Sequence, residues 1–172
     1  AIKIRAVDKA GNISDVKSFT YYYDEDEPVI SASISPNTNS EKMDNSGKNP
    51  ILKYTISDKT LKSYEIELND EKINTSGSSG EVELKNVEEG ENDIYITSID
   101  KAGNDSEQEL SYYKDTVAPE KGTVRITPKT GFFNSSNQIP IVKWDGITDD
   151  NLSCVQVKID DGEYKELGKT SK

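Results

Sequence analysis

The sequence predicts an all-β protein built from tandem β-sandwich modules, and three observations carry that expectation. The pentapeptide Asp8-Lys9-Ala10-Gly11-Asn12 returns unchanged as Asp100-Lys101-Ala102-Gly103-Asn104, a shift of 92 positions. Apolar residues alternate with polar ones in short runs, Leu52, Tyr54 and Ile56 against Lys53 and Thr55, which is the period of a strand with one buried face. No stretch carries the 3.6-residue period of a helix.

The likeness between copies extends beyond the pentapeptide. Pro28 answers to Pro119, Ile34 and Pro36 to Ile126 and Pro128, and Tyr54 to Trp144; the segment 61 to 70 matches 152 to 161, with Tyr64, Ile66 and Leu68 standing where Val155, Val157 and Ile159 stand. A period near 90 residues is too long for a solenoid repeat and long enough for a small domain with its own core. The expected organisation is residues 1–27 as the last strands of one module plus an acidic linker, 28–118 as a complete module, and 119–172 as the first half of a third.

Within the complete module the alternation predicts strands near residues 29 to 35, 51 to 57, 61 to 69, 81 to 86, 93 to 99 and 106 to 113, with a short one at 72 to 75. Strands this short, each apolar on one side, must pair as two sheets packed face to face. The polar stretch 37 to 49 reads as a mobile loop and 76 to 80 (SGSSG) as a flexible turn. The pentapeptide falls between two strands. There Asp8 and Asp100 can accept backbone N–H bonds, Gly11 and Gly103 supply a left-handed residue at little cost, and Asn12 and Asn104 tolerate a strained exit. Hairpin geometry explains the motif without a ligand.

Composition narrows the function. With 32 acidic and 21 basic residues, a formal charge of −11 and no histidine, the chain lacks the clustered cations that a nucleic-acid backbone demands. No apolar run is long enough to insert in a membrane as a helix. The absence of histidine removes Ser/His and Cys/His pairs and imidazole metal ligands, and the carboxylates fall in turns and on outward strand faces; the expectation is no enzyme. The single cysteine, Cys154, stands where the complete module has Ser63 and is expected to be a half-buried, unreactive residue.

Residues 87 to 104 (VEEGENDIYITSIDKAGN) and the junction 115 to 119 (DTVAP) resemble the immunoglobulin-like and fibronectin type III-like modules found in tandem on large bacterial surface proteins. In the third copy, 126 to 128 (ITP), Lys143-Trp144 and the turn at Thr148-Asp149-Asp150 are similar to modules of wall-associated and RHS-type proteins; that resemblance implies a core role for Trp144. The first junction departs from the pattern, reading 24 to 28 as DEDEP, so the two junctions are not expected to be simply equivalent. The resemblance implies an extracellular or cell-wall location, with adjacent modules of the same chain as the first partners.

Two sites stand beside their plainer readings. Asp24, Glu25, Asp26 and Glu27, with Asp8, are oxygen-rich enough to gather calcium at a junction, and equally they form a solvated linker. Tyr22 and Tyr113 belong to consecutive tyrosines, so alternation turns one of each group outward, where a ring can stack on a sugar or cover a sheet edge. Phe132 and Phe133 read as a plug at the end of the third module. The leading expectation is a non-catalytic spacer that presents another domain. The alternatives are an adhesion module for polysaccharide or a host surface protein, and an accessory module of a secreted carbohydrate-active enzyme. The two partial modules are also expected to associate head to tail between molecules.

Overall fold

The computed structural model describes residues 1–127 and 141–168, and they contain β-strands and no helix. Two compact units divide at Lys114 and Asp115. The first, Ala1–Lys114, joins an N-terminal hairpin to one whole sandwich; the second, Asp115–Lys172, carries two strand pairs. Phe132, Phe133 and Pro128 lie outside the described residues.

The sandwich is made of seven antiparallel strands. The hairpin before it pairs β1 (Ile2–Ile4) with β2 (Lys17–Phe19). Then β3 (Val29–Ser35), β4 (Ile51–Ser57) and β7 (Ser79–Glu83) form one sheet in the order β3-β4-β7. Facing it, β5 (Leu61–Leu68), β6 (Glu71–Lys72), β8 (Gly90–Asp100) and β9 (Asp105–Lys114) pair as β6-β5-β8-β9. The expected strands are present, with bounds moved by a few residues. The larger shifts are at β6, β7 and β8, while β5 ends one residue early, at Leu68, because Asn69 and Asp70 both take positive φ (49° and 64°) in the two-residue turn that leads into β6.

The alternation does what a period of two dictates. Leu52, Tyr54 and Ile56 from β4 meet Ile66 and Leu68 from β5, Ile94 and Ile96 from β8 and Tyr112 from β9, all buried, with Leu84 closing one end. Ile30, Ala32 and Ile34 of β3 pack partly buried against this cluster, and Tyr54 and Tyr64 lie ring to ring at 6.4 Å with a 37° tilt. Lys53, outward by the same rule, pairs with Glu81 on the neighbouring strand.

Two polar features depart from simple alternation. Asn92 is fully buried: its Oδ1 accepts from the Glu88 N–H (2.8 Å) and the Asn69 amide (2.9 Å), while its Nδ2 donates to the Glu88 carbonyl (2.9 Å). It replaces the backbone pairing that the turn into β8 lacks. The stretch 37 to 49, expected as a mobile loop, is instead fastened to the end of β9. The Tyr113 N–H donates to Thr38 Oγ1 (2.8 Å), the Asp44 N–H donates to the Tyr113 carbonyl (2.9 Å), and the Tyr112 hydroxyl donates to Asp44 Oδ2 (2.5 Å). Composition shows the polarity of such a segment but not the tertiary acceptors that hold it.

In the second unit β10 (Thr123–Thr127) pairs with β11 (Ile141–Asp145), and β12 (Val155–Val157) with β13 (Lys165–Leu167). Val124 faces Trp144 and Ile126 faces Val142, the register in which Ala32 faces Tyr54 and Ile34 faces Leu52 in the whole sandwich. Cys154 is half-buried and unpaired by any disulfide.

Candidate module junction

The repeated pentapeptide closes the β8–β9 hairpin around a buried carboxylate. Asp100 Oδ1 accepts the N–H groups of Gly103 (2.6 Å) and Asn104 (2.8 Å), and its Oδ2 accepts from Asn104 Nδ2 (3.0 Å). Burial pushes this carboxyl upward, but the Asn104 amide and the backbone donors of the loop outweigh it and hold it below the usual value. In the first copy Asp8 makes the same wheel in solvent, accepting from Ala10 N–H (2.9 Å), Asn12 N–H (2.8 Å) and Asn12 Nδ2 (2.7 Å). Its carboxyl is lowered as well, chiefly by the Asn12 side chain. Gly11 and Gly103 take the left-handed φ (91° and 101°), as expected; Asn12 and Asn104 do not. The asparagines act through their side-chain amides, not by tolerating a strained backbone.

Asn104 reaches further than its own loop. Its Nδ2 lies 3.2 Å from the carbonyl oxygens of both Asp24 and Asp26, so the amide that grips Asp100 also grips the linker that enters the sandwich. Thr60, in the turn between β4 and β5, donates its hydroxyl to Asp24 Oδ2 (2.9 Å) and lies 3.4 Å from Asp100 Oδ2. The turn is itself set by Asp58 Oδ1, which accepts the Thr60 N–H (2.6 Å), and the Lys101 N–H donates to the Thr60 carbonyl (3.0 Å). Pro28 is buried and its carbonyl accepts the Ser106 hydroxyl (2.6 Å). The two hairpin turns at one end of the sandwich thus hold residues 24 to 28 as a latch.

Part of the latch recurs at the second junction. Asp115 Oδ2 accepts from Asn151 Nδ2 (3.0 Å), Asp115 Oδ1 accepts the Val117 N–H (3.2 Å), and Asp149 Oδ1 accepts the Asn151 N–H (2.7 Å). At the first junction the Asp24 Oδ1 likewise accepts the Asp26 N–H (3.2 Å). Asp24, Asp58 and Thr60 therefore map onto Asp115, Asp149 and Asn151, each 91 positions on. The two junctions share the contacts of the first aspartate, and they differ beyond it: Pro28 is buried, whereas Pro119 is exposed.

Of the residues predicted for calcium, Asp24, Asp26 and Glu27 line one open groove of about 580 Å³ with Asp58, while Asp8 is engaged in its own loop and Glu25 accepts the Tyr23 hydroxyl. Among the described residues no group of three or more His, Cys, Asp or Glu is placed to hold a metal ion. Of the tyrosines, Tyr113 is half-buried with its hydroxyl on Glu91, while Tyr22 stands 87% exposed. Sequence reasoning missed Asp58, Thr60 and Asn151, and placed Asp149 in a turn without its role at the junction. The signal for them was present: an Asp two residues before a hydrogen-bonding side chain, repeated at the module spacing. No protein-family model matches the chain, and no curated protein is significantly similar to it.

Proposed function

We propose that the chain is a non-catalytic spacer segment of a large bacterial surface or secreted protein, built from immunoglobulin-like, fibronectin type III-like modules and serving to hold another domain away from the cell wall. The observation that supports this is the latch. Asn104 and Thr60 fix the entering linker to the sandwich, and the Asp24–Thr60 contact has a counterpart in Asp115–Asn151. A spacer needs joints that resist bending, and a short linker bonded through its own carbonyls has far less freedom than a free one of the same length. Negative charge keeps such a segment soluble and apart from its neighbours.

Small-angle scattering on the full chain tests the reading. Replacing Asp24, Thr60 and Asn104 by alanine is expected to broaden the distance distribution while the sandwich stays folded; an identical curve for parent and variant would remove the stiff-joint argument. A second reading, a polysaccharide or host-protein binder, draws on the exposed ring of Tyr22. Calorimetry against cell-wall polysaccharide, with Tyr22→Ala as the control, separates it from the first.

A further inference from the structure

The chain enters the sandwich in one sheet and leaves it from the other. Residues 24 to 28 lead into β3, the outer strand of the β3-β4-β7 sheet, while Lys114 ends β9, the outer strand of the β6-β5-β8-β9 sheet. β3 and β9 lie side by side, yet they pair with β4 and β8 and not with each other.

Side chains cross the gap instead. The Ser106 hydroxyl donates to the Pro28 carbonyl (2.6 Å), and the Gln108 amide nitrogen lies 3.5 Å from the Ala32 carbonyl, with the Gln108 side-chain oxygen buried and without a partner among the described residues. Past the end of β3, Thr38 Oγ1 accepts the Tyr113 N–H (2.8 Å), the Asp44 N–H donates to the Tyr113 carbonyl (2.9 Å), and Asp44 forms a parallel bridge with Lys114. The turn between Thr38 and Asp44 is itself closed. Asn39 and Lys42 exchange main-chain bonds (3.0 and 3.1 Å), and Asn39 Oδ1 accepts the N–H groups of Glu41 (2.9 Å) and Lys42 (2.8 Å). The partners ascend together, 28, 32, 38 and 44 against 106, 108, 113 and 114, so the entering stretch and β9 run in the same direction.

That shared direction decides how tension acts. A pull on residues 24 to 28 opposed by a pull on Lys114 drags one sheet past the other along the strands. The hydrophobic effect is non-directional and sets no line along which the sheets are held, whereas a hydrogen bond weakens steeply as it is bent or stretched. β3 is anchored to β4, and β9 to β8, along their whole lengths, so the load passes between the sheets through the side-chain rungs and the grip of Asn104 on Asp24 and Asp26. Rungs that lie across the slide are strained together; rungs pulled open from one end break in turn.

We propose that the seam between residues 28–44 and β9 is a tension-bearing clamp, holding the two sheets in register when the chain is pulled at both ends of the sandwich. Its firm ends are Ser106 on Pro28 and the closed 38–44 turn on Tyr112 and Tyr113, and its loose middle is Gln108. The clamp goes beyond the spacer reading, because it concerns the resistance of one sandwich to being opened and not the stiffness of the joint before it.

Single-molecule force spectroscopy on the full chain, held by its ends, tests this, with the sandwich recognised by a release of about 300 Å of chain. Thr38→Val, Ser106→Ala and Tyr112→Phe each remove a bond of the seam, and Leu52→Ala is the comparison in the core. At constant force each seam variant is expected to unfold at least about fivefold faster than the parent. Its whole loss of stability in urea is expected to reappear as faster unfolding under load, since a rung already broken in the transition state contributes nothing there. Leu52→Ala is expected to lose more stability than Thr38→Val or Ser106→Ala and to convert only part of it, because the core is still packed when the sheets begin to slide. Parent rates in all three seam variants overturn the proposal, as does a core substitution that converts a larger share than they do. Either result leaves the scattering test of the joint untouched.

Discussion

The Tyr112 hydroxyl donates to Asp44 at 2.5 Å, joining a fully buried ring on β9 to the segment 37 to 49, whose one large apolar side chain is Met43. The bond ties this polar stretch to the rigidity of the core. Tyr112→Phe keeps the ring and removes the bond. It is expected to cost about 1.5–3 kcal/mol in urea unfolding, the range for a hydrogen bond to a charged group, and to speed hydrogen exchange at the Asp44 amide.

The same pair predicts a pH response. Asp44 is held below the usual carboxylate value chiefly by the Tyr112 hydroxyl, so its folded value lies under its unfolded one. Its stabilisation is present above the ordinary carboxylate range and is lost as pH falls through the depressed value. Tyr112 is raised, first by burial and then by Asp44, so its share is present below the ordinary tyrosine value and is lost only as alkali passes the raised one. Melting temperature recorded against pH is therefore expected to fall at the acid end less steeply in Tyr112→Phe than in the parent.

Asp100→Asn and Asp8→Asn make the same chemical change in the same pentapeptide. Asp100 is buried and shares its bonds with Asn104, Gly103 and Thr60, whereas Asp8 is surrounded by water. Calorimetry is expected to show a lower melting temperature for the first and none for the second. Equal effects would mean that the loop matters only as a local turn.

In the core, Leu52→Ala opens a cavity between the sheets at a fully buried position and is expected to cost about 2–5 kcal/mol. The corresponding change in the second unit, Val142→Ala, is expected to cost little in dilute solution, because that residue is partly open.

Calcium in millimolar excess is expected to leave the melting temperature unchanged, since the Asp24 oxygens already accept from Thr60 and the Asp26 N–H. A site filled to a hundred times its dissociation constant would add about 2.7 kcal/mol, a shift that calorimetry would register plainly.

The strands were readable because alternation is a local property: Leu52, Tyr54 and Ile56 announce their shared face without knowledge of what covers it. The hairpin loops were readable for the same reason, since Asp and Gly act within five residues. The role of Asn104 was not, because its acceptors at Asp24 and Asp26 lie 78 to 80 residues away and are backbone carbonyls, which no side-chain pattern records. Asn92 escaped for a related reason. A polar residue at an inward position looks like a break in the pattern until the carbonyls that satisfy it are known.

The hairpin of β1 and β2 shows how a strand pair tolerates a change in length. A single inserted residue ordinarily reverses the facing of everything beyond it in a strand. Here Val7 bridges Ile13 while Ile4 pairs with Lys17, so the surplus residue lies between Ile13 and Lys17 and is absorbed before β2 begins. Phe19 still stands opposite Ile2, as Leu110 stands opposite Ile94, so the extra residue changes the length of the loop and leaves the apolar partners face to face.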